Sequence, residues 1–461
     1  MREKITQNLC GPIFLVILQA KKDYEMIESF TIKNYLCYRE ETEFSFLASK
    51  KEGSKKSLPP SWYKEIDGKR ILRLLICVGL NGSGKTKMFS ALRYLRTLAI
   101  SRPSKPSEKP IFRPFLLDNY SFKNPTELQL TYYVNETRYK YRIKVSNERI
   151  EEEELVIKGN RSCRVYLRTH DTKTDKVQIV YGNGCDLSKN DRHDLEINTV
   201  ANSTVLSSFA YLNLESKILS ANLYYFEDKI SYVKKGDKSL ADKLKTDDRE
   251  KDALIKKMIL RLLKDVNTNI CDYEVEEATL NISELESHGA PVALIKAMRE
   301  QYPSGVIVHK NLKFIHSTSE CRKALDSEVE SLGTMNIIRL LVVLFDIILG
   351  KKSTTVDEVE SGIHTKALEF ILKMYLSLAK DCQLIVATHD LHILNSSFLR
   401  KDAVRLFKKM ETGAISVKRP EYIHNTVSFF RTYYREVAPE IDSIISQLSI
   451  FEDYERDLFG E

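Results

Sequence analysis

The sequence predicts an α/β protein built on a mixed sheet, with an antiparallel β subdomain and a helical insertion. Three observations predict it. A continuous apolar run, Leu74 to Val78, leads into a glycine-rich turn and then a helical pattern. Two more short strands, Ser353 to Val356 and Leu384 to Ala387, flank a helical stretch far downstream. Between these ends lie alternating segments, followed by apolar residues three and four apart. A run that is apolar throughout suits a strand covered on both faces, whereas alternation marks a sheet with one wet face.

Taken in order, Ile27 to Tyr38 is rich in strand formers, and Glu41 to Phe46 is its expected hairpin partner. Lys50 to Arg70 is rich in Lys, Ser, Gly and Pro and reads as an exposed loop. A helix is expected from Lys85 to about Ile100, then a Ser/Pro/Lys loop from Ser101 to Pro110. Glu127 to Val134 and Thr137 to Val145 read as a hairpin joined at Asn135-Glu136. Further strands are expected near Glu154 to Ile157, Arg164 to Arg168 and Lys176 to Tyr181. Thr204 to about Leu263 turns helical, and its charged stretch Lys238 to Asp252 reads as an exposed helix or linker. Strand character returns at Tyr273 to Leu280 and Val306 to Ser317. Ile337 to Leu349 is a long apolar helix whose Arg339 and Asp346 need partners or an edge position. The helix between the two late strands spans Thr365 to Lys380. The expected division is an N-terminal extension at 1–25, a first lobe at 26–201, a helical insertion for assembly at 202–303, a second lobe at 304–425 and a tail at 426–461.

Composition sets bounds. With 43% hydrophobic and 29% charged residues the chain reads as a soluble globular protein. The net charge of +7 is modest for 461 residues, so it permits contact with nucleic acid without arguing for it. The eight cysteines include no C-x-x-C pair, so a zinc site is not expected and a reducing, cytoplasmic setting is. No run is read as long enough to cross a bilayer, and no membrane association is expected. Arg2 and Lys4 followed by Pro12 to Leu18 give a faint signal-peptide shape, but Lys21 and Lys22 replace a small-residue cleavage site. A start at Met26 is the other reading of this stretch.

Gly79-Leu80-Asn81-Gly82-Ser83-Gly84-Lys85-Thr86 fits G-x-x-x-x-G-K-[ST], between a strand and a helix as that motif requires. Glycines let successive backbone N–H groups curl around phosphates, and the helix N-terminus adds its dipole. Lys85 is expected to face the β- and γ-phosphates, and the Thr86 hydroxyl to ligate Mg²⁺. Far downstream, Asp357 and Glu358 end a strand. Adjacent carboxylates there call for a cation, and Mg²⁺ with an attacking water is the natural company. Asp357 is expected to hold the metal, and Glu358 to orient and polarise the water. An exposed strand end is the alternative. Ala387-Thr388-His389-Asp390 ends the next strand, so His389 is expected at the same sheet edge, near the γ-phosphate. Glu330-Ser331-Leu332-Gly333-Thr334 precedes the apolar helix. It reads either as an ordinary N-cap or as an anion site that serves a second copy of the chain.

The order of these motifs resembles the ABC-type ATPase heads of the SMC/RecF branch. More closely, it resembles stand-alone bacterial AAA-family ATPases of the OLD-like group, similar to the ATPase subunits of anti-phage systems such as Septu and PARIS and to some abortive-infection proteins. Five features carry the closer likeness: Ile32-Lys33-Asn34-Tyr35; Glu330 to Thr334; Asp357-Glu358 with Ser361-Gly362-Ile363-His364; Thr388-His389-Asp390 trailed by Leu399-Arg400-Lys401-Asp402; and Phe430-Arg431-Thr432-Tyr433-Tyr434-Arg435 ending in Ala438-Pro439. The likeness covers Met26 to about Pro439. It implies an ABC-type P-loop head that binds ATP and Mg²⁺ and hydrolyses ATP. It also implies head-to-tail homodimers or higher oligomers, with Ser331 and Gly333 acting on the partner's ATP and Ser361 to His364 at the seam. The chain departs from the pattern at Leu36, where a basic residue is common, and at Thr365, where Pro is common. The glutamine that helps bind Mg²⁺ in such families is not placed, although Gln129 sits on an expected strand.

Neither a nuclease centre nor an H-N-H pattern is evident, and the segment after His389 is short for a TOPRIM domain. The expected role is therefore a defence-type sensor or regulator acting with a separate effector, a nuclease or toxin. A RecF/SMC-like DNA-binding repair ATPase is the alternative, which leaves DNA open as a partner. A scaffold that binds ATP without turnover is a third reading, opposed by Glu358. The acidic-aromatic stretch Phe451 to Phe459 reads either as a docking segment or as a frayed terminus.

Overall fold

The computed structural model describes residues 24–49, 60–171, 174, 176–233, 240–265 and 268–420. The expectations for residues 1–23, for the aromatic-basic and acidic-aromatic stretches of the tail, and for the start of the Lys50 loop lie outside these residues. The chain forms two compact units. One comprises Met1–Tyr232, Ile347–Val359 and Lys373–Glu461, and the other Val233–Asp346 and Glu360–Leu372.

The first unit holds two sheets. One has seven strands in the order β10-β9-β8-β7-β6-β1-β2, antiparallel throughout. Its strands are β1 (Met26–Lys33), β2 (Thr42–Ser45), β6 (Thr126–Val134), β7 (Thr137–Val145), β8 (Ile150–Ile157), β9 (Cys163–Asp171) and β10 (Lys176–Tyr181). Alternation is clearest in β7, where Tyr139, Tyr141, Ile143 and Val145 are buried. Between β2 and the next sheet comes a hairpin, β3 (Tyr63–Ile66) with β4 (Lys69–Leu72), preceded by the fully buried Trp62. The loop expected at Lys50 to Arg70 is therefore corrected over its second half. Four short residues at a time, with Gly68 at the bend, were too brief to show a period.

The second sheet has the order β11-β15-β16-β5-β17-β18. Its strands are β5 (Leu74–Gly79), β11 (Ile230–Tyr232), β15 (Ser353–Val356), β16 (Gln383–Thr388), β17 (Val404–Lys409) and β18 (Ile415–Lys418). All its pairings are parallel except β17 with β18. Helix α1 (Lys85–Ile100) leaves β5, and its Met88, Leu92, Leu95 and Ala99 join a core shared with Phe30, Ile32 and Leu130 of one sheet and Leu75, Cys77 and Ile385 of the other. Helices α2 (Lys189–Asn198), α3 (Val205–Phe209) and α4 (Lys217–Tyr224) complete this unit.

Polar groups tie the two sheets together. Gln383 is fully buried. Its amide accepts from Ile27 N at 2.6 Å, donates to Ile27 O at 2.9 Å and Leu72 O at 3.0 Å, and accepts from Ser353 Oγ at 3.0 Å. The hydroxyl-rich β15 is satisfied in the same way, since Ser231 and Thr354 share a 2.5 Å bond. Glu28 on β1 is buried against Arg138 and Lys69. Burial works to raise its carboxyl, but the bonds from Arg138 and Lys69 outweigh it and hold Glu28 below its ordinary 4.5.

The second unit contains α5 (Leu240–Leu244), α6 (Arg249–Asp265), α7 (Ile282–Ser287), α8 (Val292–Gln301) and a sheet of β12 (Ile270–Asn281), β13 (Val306–Ser317) and β14 (Arg322–Asp326). The insertion expected to be helical thus includes β12, half of a twelve-residue antiparallel hairpin. The strands expected at Tyr273 to Leu280 and Val306 to Ser317 are both present and pair with each other, while the helical stretch expected over 204–263 is broken by β11. Two long helices, α9 (Leu332–Gly350) and α10 (Thr365–Leu378), begin in this unit and end in the first. On α9, Arg339 donates to Asn336 Oδ1 at 2.8 Å and Asp346 accepts from Lys251 at 3.0 Å. At 19 residues and a mean hydropathy of 2.1, α9 is long and apolar enough to cross a bilayer, which corrects the expectation that no run reaches that length. Its Ile338, Leu340, Leu341, Val342, Leu344, Phe345 and Ile347 are buried within the fold.

Gln383→Ala strands two carbonyls and an N–H in the core, so a loss of roughly 3 kcal/mol in urea unfolding is expected; a loss below about 1 kcal/mol would remove the tie from the account. The folded pKa of Glu28 lies below its unfolded value. Its contribution is therefore complete above pH 4.5 and lost as pH falls through the lower folded value. Glu28→Gln should flatten the acid limb of stability against pH, and an unchanged limb would contradict the pairing.

Candidate functional site

Strand β5 is buried at every residue and delivers Gly79 to the carboxyl edge of the parallel sheet. A Cβ at Gly79 would lie 2.5 Å from Ser83 Oγ and 2.8 Å from Phe407 O, so only glycine lets the turn close on β17. Gly82 and Gly84 have φ of +74° and +92°. A side chain at Gly84 would be strained and would also meet Ile415 at 2.8 Å. Asn81 and Gly82 are exposed at the tip, and Ser83 is buried. Lys85 is only 4% exposed, and its ammonium donates to Gly79 O at 2.6 Å and Leu80 O at 3.0 Å. The cation is thus held inside the turn, against oxygens of the loop itself.

The turn rests on the stretch after β1. Tyr38 is fully buried and its hydroxyl donates to Gly84 O at 2.8 Å. Ile415 N donates to Cys37 O at 3.0 Å. Asn34 and Leu36 take φ of 49° and 53°. Asn34 pays for this bend with a full set of bonds, donating to Ser121 O and Asn124 O and accepting from Phe115 N. The Asn34-Tyr35 motif is therefore a scaffold for the loop. Sequence reasoning marked it and missed Tyr38, whose only signal was an aromatic three residues beyond.

Strand pairing brings the distant carboxylates to this turn. Val356 is in register with Val386, and Thr388 with Val78, so β15, β16 and β5 end together. Thr86 Oγ1 donates to Asp357 Oδ2 at 2.6 Å across 271 positions of sequence. His389 Nδ1 lies 3.2 Å from both Lys85 Nζ and Gly79 O. Glu358 adopts φ 48°, a left-handed conformation rare outside glycine, and Val359 N then re-pairs with Ala387 O at 3.1 Å. The backbone turns at this one residue, and the turn sets where the Glu358 carboxylate leaves the strand. Such a conformation costs about 1 kcal/mol and persists because the flanking strands over-determine it. Nothing in the sequence signals it.

Among the described residues no three His, Cys, Asp or Glu gather to form a metal cage. A hydroxyl beside a single carboxylate is instead the donor set of Mg²⁺, which keeps waters and phosphate oxygens as its other ligands. The residues present fit that ion.

Ser331 and Gly333 belong to the second unit. Ser331 Oγ accepts from Thr334 N at 3.0 Å, the N-cap geometry expected of it. A Cβ at Gly333 would lie 2.8 Å from Gly362 O, and Asn336 donates to Ser361 O at 2.5 Å. The S-x-G turn and the Ser361 to His364 stretch are therefore packed together. Gln129 lies on β6 between Thr31 and Arg142, within the antiparallel sheet. Arg400 and Asp402 form a buried two-bond pair at 2.9 and 2.7 Å, and Asp402 also accepts from Ser49 N at 2.6 Å. That motif is a structural lock on the loop after β2.

No curated protein matches the sequence. Many solved structures align with it loosely, SMC heads among them. An SMC head domain from Thermotoga maritima does so at 13% identity, over 86% of this chain and 99% of that one, with a TM-score of 0.37. An SMC head bound to the C-winged helix domain of ScpA aligns at 12% identity over 86% and 98%, TM-score 0.39. An SMC head with an extended coiled coil, bound to the C-terminal domain of ScpA derived from Pyrococcus furiosus, aligns at 13% over 86% and 96%, TM-score 0.36. The family model described as "AAA domain, putative AbiEii toxin, Type IV TA system" matches residues 76–395, more than half of the chain, from within β5 to just beyond His389. The chain belongs to this family of AAA domains.

Proposed function

We propose that this protein is an ATPase that binds Mg²⁺ and ATP on the loop from Gly79 to Thr86 and hydrolyses the nucleotide. The observation that carries the reading is the 2.6 Å contact between Thr86 and Asp357, which joins the two halves of the motif set at one sheet edge. Backbone N–H groups of Asn81 to Lys85 cradle the phosphates, and Lys85 exchanges its loop carbonyls for β- and γ-phosphate oxygens. Thr86 and Asp357 are the groups that would hold Mg²⁺, whose charge offsets that on the outer phosphates. Glu358 orients the attacking water and accepts its proton. His389, beside Lys85, contacts the γ-phosphate.

The working form is a homodimer or higher oligomer, in which Ser331 and Gly333 of one copy complete the site of another. A turn that presents a hydroxyl and a close-packed glycine at the start of a 19-residue helix suits a terminal phosphate. The biological role is that of a sensing or regulatory ATPase in an abortive-infection type of defence, with toxicity supplied by a separate effector. The family description, which names a putative AbiEii toxin and a type IV TA system, supports the abortive-infection setting; the division into sensor and separate effector rests on the resemblance of the motif order. A reducing cytoplasm is the matching compartment. The described cysteines are all free, and burial pushes the thiols of Cys77 to about 12 and of Cys37 and Cys382 to about 11.

Lys85→Ala should lower ATP affinity by at least a hundredfold in equilibrium titration, and unchanged affinity would refute the loop assignment. Glu358→Gln should keep ATP binding, lose turnover by about a thousandfold, and accumulate a nucleotide-bridged dimer by light scattering. A monomer at saturating ATP would count against the shared site.

A further inference from the structure

One face of α1 carries a second feature. Ser90, Arg93, Tyr94 and Thr97 follow each other at helical spacing, and together with Tyr35, Ile111 and Arg113 they line a cleft of about 150 Å³. Arg93 lies eight residues beyond Lys85, about 12 Å farther along the helix axis at 1.5 Å per residue. The cleft therefore sits on the flank of the helix, away from the terminus that serves the phosphate loop.

Its chemistry is one-sided. Two arginines line it and no carboxylate does. Among the described residues, neither Arg93 nor Arg113 has a carboxylate within ion-pair distance. Several other arginines of this unit are neutralised: Arg138 by Glu28, Arg142 by Glu152 and Glu154, Arg164 by Glu154, and Arg400 by Asp402. Both residues are exposed, and Arg93 is held over the Tyr232 ring with its charge 5.2 Å from the ring centre. The wall behind them is aromatic, with the Tyr35 and Tyr94 rings stacked at 5.8 Å. Tyr35 is buried and its hydroxyl shares a 3.1 Å bond with Ser90 Oγ. Two unneutralised guanidinium forks in one cleft repel each other and attract an anion that each can grip with paired N–H groups.

We infer that this cleft is a second anion site, taking the phosphate group of a phosphate-bearing ligand, with Arg93 and Arg113 as its cationic arms and Tyr94, backed by the buried Tyr35, as a surface for a ring attached to it. The site is distinct from the loop at Lys85 and does not depend on that loop's role.

The test is calorimetric titration of the full chain carrying Lys85→Ala, which disables the phosphate loop. The probes are inorganic phosphate, AMP and a thymidine pentanucleotide at low salt. At least one probe should bind, and adding Arg93→Ala or Arg113→Ala should weaken it at least tenfold. Lys105→Ala, which removes a charge outside the cleft, should leave binding unchanged. Equal affinity for phosphate and pentanucleotide identifies a free phosphate ligand, while a clear preference for the pentanucleotide identifies a nucleic-acid strand. Circular dichroism of each variant separates loss of the site from loss of the fold. Binding by none of the probes, or binding indifferent to both arginine variants, overturns the proposal. ATP binding that survives Lys85→Ala would instead count against the phosphate loop, leaving the cleft to be judged on its arginines alone.

Discussion

The parallel register of β15, β16 and β5 is the constraint on which the rest depends. Because Val356 aligns with Val386 and Thr388 with Val78, three strand ends from remote parts of the chain share one edge. Each end carries one chemical element: the glycine-rich turn, the carboxylate pair or the histidine. A slip of one residue along any strand would reverse the facing of its side chains and carry Asp357 away from Thr86. The apolar cover on both faces of β5 and β16 is what holds the register.

Around that edge the molecule spends buried polar groups on rigidity. Gln383 binds β1 to the parallel sheet with every hydrogen-bonding group of its amide engaged. Tyr38 and Asn34 hold the floor of the turn, and Arg400 with Asp402 locks the loop beyond β2. A fully satisfied buried network specifies one arrangement, because any alternative leaves a polar group without water or a partner. The left-handed Glu358 follows from the same rigidity. Strands on either side of it are fixed, so the single residue between them absorbs the bend.

The elements with a period or a punctuating motif were legible in advance. The hairpin at Asn135-Glu136, the helix after Lys85 and the two late strands appear where the pattern indicates. Short elements were not legible. The β3–β4 hairpin shows no period in four-residue strands, and the three-residue β11 was absorbed into a neighbouring helical pattern. The apolar length of α9 was underestimated because Arg339 and Asp346 interrupt it, although Asn336 and Lys251 satisfy both charges at little cost.

The sequence by itself determined the residue types at the site: glycines where backbone must approach closely, a lysine and threonine at a helix start, and carboxylates and a histidine at strand ends. Those choices follow from local rules of backbone geometry and charge, which act over a few residues. Only the tertiary structure decided that Thr86 and Asp357 meet, that Glu358 leaves its strand through a left-handed turn, and that Arg93 and Arg113 share one unneutralised cleft. The first joins segments 271 positions apart, and the other two follow from how the strands and helix around them pack. Strand register and core packing set such relations, and no local pattern encodes them.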